Sequence, residues 1–124
     1  MAETLDLSAY QEALATLMER AAAAGLRAVP VAGVSVGGCA EAIGTSRRGA
    51  FRRRAHAHNH RRDPLFGWIC FLSAKPERLV TPSGRPSALL AHEYAHLLAP
   101  GSGHGERWRR AVTVLGYPSQ ARQR

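Results

Sequence analysis

Two histidines four residues apart, His92 and His96, lie in the middle of a strongly helical stretch and restrict what this part of the chain can form. Pro86 suits the first position of that helix, because the amide hydrogen that proline lacks is not needed there. Leucines continue the helical pattern on both sides of the histidines, and Pro100-Gly101-Ser102-Gly103 ends it. The sequence therefore predicts one helix over residues 86–99.

Within this helix the chain reads His92-Glu93-Tyr94-Ala95-His96, which is the HExxH pattern of zinc sites. Residues four apart project from adjacent turns of one helix face, so both imidazoles can approach one zinc ion at ~2.0–2.1 Å. Glu93 is one position further round the helix, where its carboxylate can reach a zinc-bound water. The alternative is that the two histidines are ordinary surface or core residues, since a bare HExxH also occurs by chance.

A third ligand is expected, because a catalytic zinc usually takes three protein ligands and keeps a fourth position for water. His104 follows the glycine-rich break, which lets the chain reverse towards the metal. Glu106 is the alternative third ligand. The predicted Zn²⁺ site therefore consists of His92, His96 and His104, with Glu93 beside it.

The remaining elements are predicted from periodicity. Apolar residues at helical spacing predict a helix over 9–24, and a second helical pattern covers 105–115. Between these helices, β-branched residues predict one or two short strands in 26–36, residues 51–62 alternate at strand period, and 67–72 form the strongest strand.

These elements predict the α+β class in a chain whose 124 residues suit one domain. We expect a small zincin-like domain in which an N-terminal helix packs on a short mixed sheet, followed by the HExxH helix and a C-terminal helix. The expected parts are the N-terminal helix in 1–25, the sheet and a basic loop in 26–80, the zinc-binding helices in 81–117, and a frayed tail in 118–124.

Charge is unevenly distributed along the chain. The net charge is +8, made up of −3 in residues 1–46 and +11 in residues 47–124. A basic field of this kind attracts polyanions. An alternative is that sixteen arginines and many alanines only reflect a GC-rich genome. The candidate nucleic-acid-binding residues are Arg47, Arg48, Arg52, Arg54 and Arg62.

Three further histidines share the basic strand: His56, His58 and His60 alternate with the arginines. They could form a second metal site, but the flanking guanidinium groups would repel a cation. A solvated or polyanion-facing strand is the favoured interpretation. Trp68 and Trp108 are expected to be core aromatics, because each lies in an apolar pattern.

The two cysteines, Cys39 and Cys70, match no CxxC pair, which argues against a disulfide framework and against a cysteine-ligated zinc ribbon. They are expected to be buried, reduced thiols. No apolar stretch approaches the ~20 residues of a membrane span. Glu3 and Asp6 precede any basic residue, unlike the start of a signal peptide. These features predict a soluble cytoplasmic protein without a membrane partner.

The HExxH motif with its downstream residues resembles the SprT-like zinc metallopeptidases. That family carries HExxH, a short variable connector, His-Gly, two residues and an aromatic, which are matched here by His104-Gly105 and Trp108. The resemblance covers about residues 67–117. Metzincins are disfavoured on two grounds. Their HExxHxxGxxH pattern has a glycine at the position of Ala99, and its third histidine is closer to the motif than His104 is to His96.

The resemblance implies a zinc metalloendopeptidase with a zincin fold. Glu93 would be the general base, and the strand Trp68–Leu72 would be the sheet edge along which an extended peptide pairs. The metal ligands would be His92, His96 and His104. This chain lacks the zinc ribbon or DNA-binding appendage of many SprT-like proteins, so action on DNA-associated proteins would require the basic residues to replace it.

Three functions follow as expectations. The first is a peptidase acting on protein or peptide substrates, with Tyr94, Tyr117 and Arg85 as candidates for stabilising the tetrahedral intermediate. The second is a nucleic-acid-binding module with a structural zinc. The third is a catalytically silent, peptidase-like scaffold that binds a protein partner.

Overall fold

The computed structural model describes five parts of the chain: residues 3–4, 10–36, 55–59, 66–71 and 80–122. The described strands are β1 (Glu3–Thr4), β2 (Val31–Val36), β3 (Ala55–Asn59) and β4 (Gly67–Phe71). The described helices are α1 (Gln11–Ala23), α2 (Ala88–Leu98), α3 (Glu106–Val114) and α4 (Pro118–Ala121). The structure thus confirms a small domain of helices and strands, with the three long helices in the predicted order.

α1 forms because its apolar residues recur on one face, and that face is buried. Ala13, Leu14, Leu17 and Ala21 all lie in the core, and the helix ends before a glycine at position 25 whose φ is +79°. The predicted helix over 9–24 is confirmed. Because two of the four buried side chains are alanine, neighbouring elements can approach α1 closely.

The four described strands form one sheet in the order β1-β2-β4-β3. β2 runs parallel to β4, whereas β1 and β3 are antiparallel to their neighbours. The expectation that Trp68–Leu72 forms the sheet edge is therefore wrong. β4 is paired on both sides, as its apolar run and the fully buried Ile69 require. Among the described strands, β3 is the edge on that side.

β4 approaches α2 closely at its first residue. Gly67 has no side chain, and a Cβ added there would overlap Leu97 Cδ1 of α2. The Gly67 amide also donates to the carbonyl of Pro30, 2.8 Å away, which fixes the start of β4 beside the start of β2. This glycine therefore sets the distance between the sheet and the helix that carries HExxH.

α2 begins two residues later than the sequence predicted, at Ala88 instead of Pro86. Ser87 is its N-cap, and the Ser87 side chain accepts a hydrogen bond of 3.1 Å from the Leu90 amide. Pro86 thus precedes the N-cap instead of occupying the first helical position. It forms an isolated antiparallel β-bridge with Val80. α2 contacts β3, β4 and α3. The HExxH helix is therefore held between the sheet and the C-terminal helices.

α1 and α3 are joined at the end of α3. The Arg20 guanidinium donates to the carbonyl of Leu115, the α3 C-cap, over 2.7 Å. Beside it, Gly116 has a φ of +102°, a conformation that favours glycine, and the chain turns there into the next segment.

The end of the chain also differs from the expectation. A frayed tail was predicted from residue 118, but the structure has the short helix α4 there, packed against α3. In the parts of the chain that the structure describes, no helix combines the length and apolarity that crossing a bilayer would demand.

Candidate metal centre

α2 presents His92 and His96 on one face, as the spacing predicted. Both side chains are half-buried, and their ring centroids are 5.1 Å apart. The helix surrounds them with core residues, since Leu90, Ala91 and Ala95 are fully buried. The two imidazoles therefore stand at the boundary between the core and solvent, where a bound ion would stay accessible.

The connector after α2 brings the third histidine to the same place. Gly101 and Gly103 have φ values of +78° and +55°, and these left-handed positions reverse the chain. His104 follows directly and is exposed. Its Nε2 atom is 3.2 Å from Nε2 of His92, and its ring centroid is 5.0 Å from that of His96.

The three histidines form a group that could hold a metal ion. One nitrogen from each of His92, His96 and His104 lies within 4.8 Å of the others. Two ligands at ~2.05 Å from a tetrahedral ion are ~3.3 Å apart, by the geometry of such a site. The 3.2 Å between Nε2 of His92 and Nε2 of His104 matches that edge. One edge of the group thus has tetrahedral spacing, and the three imidazoles together could hold a metal ion.

Trp108 packs against all three imidazoles. Its ring centroid is 4.8 Å from that of His92, 5.4 Å from that of His96 and 4.6 Å from that of His104. The indole is fully buried, and its Nε1–H donates to the His92 carbonyl over 3.2 Å. The expectation of a core aromatic is confirmed. In addition, Trp108 packs against the three imidazole rings and restricts their rotation.

His92 has a further partner on α4. Its Nδ1 atom is 3.2 Å from Oε1 of Gln120. Burial lowers the pKa of His92 below 6.5, the hydrogen bond to Gln120 opposes that shift, and the nearby His104 adds to it. His92 is therefore neutral at pH 7, which is the form that binds a metal.

Glu93 lies beside the group and away from bulk water. It is only 5% exposed, and its Oε2 atom is 4.0 Å from Nε2 of His92. Because His92 is neutral, this contact is not an ion pair. A carboxylate next to the nitrogen cluster can accept a proton from a molecule bound there.

Several other predicted site residues are directed elsewhere. Glu106, the alternative ligand, is exposed and lies 3.8 Å from the guanidinium of Arg110. The Tyr94 hydroxyl is buried and donates to the Val29 carbonyl over 2.8 Å, and the Tyr117 hydroxyl donates to a backbone carbonyl of the loop before α2. Arg85 is exposed in that same loop. In the structure each tyrosine hydroxyl is thus bonded to a backbone carbonyl, and a role for either in stabilising an intermediate stays a prediction.

The candidate nucleic-acid residues are five arginines. Arg47, Arg48, Arg52, Arg54 and Arg62 all lie outside the described residues, as does His60. The backbone of His56 and His58 belongs to β3, where they pair with Cys70 and Trp68 of β4.

Comparisons with protein-family models, with curated proteins and with solved structures found no match for this chain. Sequence reasoning missed the contact between Trp108 and the imidazoles, and it missed Gln120 altogether. The only sequence signal for Trp108 was its place four residues after His104, and Gln120 stands in a segment predicted to fray.

Proposed function

We propose that this protein is a zinc-dependent peptidase whose centre is built from His92, His96 and His104 with Glu93 as general base. The observation that carries the proposal is the buried Glu93 carboxylate, 4.0 Å from a ligand nitrogen of the three-histidine group. A purely structural zinc site is normally closed by four protein ligands. Three imidazoles with an adjacent carboxylate instead resemble a site that keeps one position open.

Zinc is the proposed metal because its preferred ligands and tetrahedral geometry suit three imidazoles. When bound, zinc supplies Lewis acidity, which polarises a carbonyl and lowers the pKa of water to about 7. The protein residues would do the rest: the three histidines fix the ion, and Trp108 holds their rings in place.

Glu93 would move the proton. Its carboxylate would accept a proton from the attacking water and later deliver it to the leaving amine, so that it returns to its starting state. Burial keeps this carboxylate from being solvated, and its place next to His92 puts it within reach of the group where the reaction would occur.

The substrate would pair with β3 instead of β4. An extended peptide can add to an exposed sheet edge through backbone hydrogen bonds. β3 is the edge on its side of the described sheet, and it contacts α2, which carries two of the histidines. A peptide paired with β3 would therefore run beside the proposed metal centre.

The decisive experiment replaces the proposed base and keeps the ligands. Zinc-loaded Glu93→Gln should lose about 10²–10⁴-fold in peptide-bond cleavage, as expected for a general base, while its zinc content stays at the wild-type level. The matched control is Glu19→Gln, because Glu19 is exposed on α1. Cleavage would be measured on a mixture of denatured proteins by mass spectrometry.

Two outcomes would reject the peptidase proposal. A Glu93→Gln variant that cleaves as fast as wild type would remove Glu93 from the mechanism. A wild-type protein that binds zinc but cleaves no protein in the mixture would favour the silent scaffold or the module with structural zinc.

A nucleic-acid role is the second candidate, supported by exposed charge on α3, the helix that follows His104 in sequence. Arg107, Arg109 and Arg110 are all exposed on α3, directly after His104. If they contact phosphates, binding of single-stranded DNA should weaken by about 0.7 log unit per log unit of salt for each phosphate neutralised. Gel-shift measurements at two salt concentrations test this, and no binding at the lower salt would reject it.

A further inference from the structure

The side chain of Gln120 reaches a proposed ligand ring from outside α2 and the connector. Its Oε1 atom lies 3.2 Å from Nδ1 of His92, although 28 residues separate the two in sequence. Gln120 is half-buried on α4. The contact therefore links the end of the chain to the metal centre.

α4 is held firmly enough to direct this side chain. The Tyr117 amide donates to the Val112 carbonyl over 3.1 Å, and the Gln120 amide donates to the Tyr117 carbonyl over 3.0 Å. The Tyr117 hydroxyl also donates to the Pro86 carbonyl in the loop before α2. These bonds attach α4 both to α3 and to the segment that leads into the HExxH helix.

The chemistry of an amide oxygen decides which nitrogen of His92 carries the proton. Oε1 of Gln120 faces Nδ1, and because a carbonyl oxygen only accepts hydrogen bonds, Nδ1 is the donor in this contact. In a neutral imidazole the other nitrogen, Nε2, then has a free lone pair. That nitrogen is the one 3.2 Å from Nε2 of His104, at the proposed position of the ion.

We propose that Gln120 is a positioning residue of the metal centre, whose side-chain oxygen fixes His92 in the Nδ1–H tautomer and keeps Nε2 available as a ligand. The inference deepens the proposed function and rests on its metal centre. Partners of this kind fix the ring orientation of ligating histidines and raise their basicity. Gln120 would act only through His92, with which its side chain is in contact.

The first test needs no metal. In the apoprotein, nitrogen-15 NMR of the imidazole rings should show His92 as the Nδ1–H tautomer, with its signals assigned by their loss in His92→Gln. Gln120→Leu removes the acceptor at similar volume, and the tautomer of His92 should then shift towards Nε2–H. A wild-type His92 that is already the Nε2–H tautomer would overturn the proposal, even if the leucine variant failed to fold.

The second test measures zinc affinity by competition with a chromophoric chelator. Gln120→Leu should weaken binding by about 10–100-fold, the usual effect of removing such a partner. Gln120→Glu keeps an acceptor oxygen at the same place and should restore binding to the wild-type level or above. Gln11→Leu is the matched control, because it makes the same change at an exposed position on α1.

The outcomes separate this inference from the proposed function. Unchanged zinc affinity and tautomer in a folded Gln120→Leu would overturn the role of Gln120 and leave the metal centre standing. Equal loss of affinity in Gln120→Leu and Gln120→Glu would also overturn it, because a structural role alone would explain that result. A wild-type protein that binds no zinc would reject the metal centre, and the NMR test would then decide on the tautomer alone.

Discussion

Three parts of His92 are each held by a contact with a different residue. Its Nε2 faces His104, its Nδ1 faces Gln120, and its carbonyl accepts from the Trp108 indole. Each contact fixes a different part of one residue. The sequence alone indicated that His92 is a ligand, but the contacts that orient it come from three separate places along the chain.

The lowered pKa of His92 predicts how the stability of the apoprotein depends on pH. Well above pH 6.5 the His92 side chain is neutral in both the folded and the unfolded protein, so its protonation does not reduce the free energy of unfolding. As the pH falls below 6.5, the unfolded chain binds a proton more readily, so the free energy of unfolding falls until the lowered folded pKa is passed. Urea unfolding across this range measures the loss. In His92→Gln the decline should be smaller, and an equally steep decline would contradict the assignment.

The burial of Tyr94 predicts a loss of stability at alkaline pH. Burial raises its pKa well above 10.0, with Arg27 opposing the shift, so stability should fall as the pH rises above 10.0, where the unfolded tyrosine ionises first. Tyr94→Phe should cost about 1–3 kcal/mol near neutral pH, because the Val29 carbonyl loses its partner. Its stability should also fall less steeply at alkaline pH. Urea unfolding of both proteins tests this, and parallel curves would contradict it.

At the scale of elements, the packing of α2 on the sheet depends on one small residue. Gly67→Ala would drive a methyl group into Leu97, so we expect a loss of about 1–3 kcal/mol in the free energy of unfolding. Denaturant unfolding measures it. A neutral effect would show that α2 can move away from β4 without cost.

A double variant provides the control for this contact. Leu97→Ala alone should destabilise by about 2–5 kcal/mol, because it leaves a cavity in the core. In the presence of Leu97→Ala, the Gly67→Ala change should cost clearly less than it does alone, since the methyl group then has space. If the costs of the two substitutions simply add, the effect of Gly67→Ala does not come from its contact with Leu97.

The strands illustrate what periodicity can and cannot decide. The apolar run of β4 was recognised as a strand, but its position in the sheet was inferred from a resemblance and proved wrong. Alternation tells which residues share a face. Strand order depends on which strands pair, and here β2, from earlier in the chain, pairs with β4.

For the whole molecule, the histidine group connects α2 to the start of α3. A metal bound to His92, His96 and His104 would therefore restrain two helices and stabilise the folded state by mass action. At a free zinc concentration 100 times the Kd, the expected gain is about 2.7 kcal/mol. Thermal melting with zinc and with a chelator measures it, and identical melting temperatures would contradict a site in the folded protein.

His104→Ala separates metal binding from packing. His104 is exposed but packs against Trp108 on one side, so its removal should destabilise the apoprotein by only about 1 kcal/mol. The gain in melting temperature on adding zinc should nevertheless largely disappear, because one of the three ligands is gone. A variant that zinc still stabilises as strongly as wild type would exclude His104 from the ligand set.

The sequence by itself determined the local features of this protein. The helical periodicity of α1 and α2, the HExxH spacing and the glycine-rich reversal before His104 follow from contacts between residues near in sequence, and the structure brings the three histidines together as that spacing predicted. Short-range geometry decides such features, because a helix repeats every 3.6 residues and left-handed backbone favours glycine.

Only the tertiary structure decided the features that join distant segments. The position of β4 inside the sheet, the donation of the Tyr94 hydroxyl to Val29 and the placement of Gln120 against His92 each depend on pairing or packing across many residues. No local pattern encodes such contacts, because they form only when the burial of apolar surface brings separate elements together.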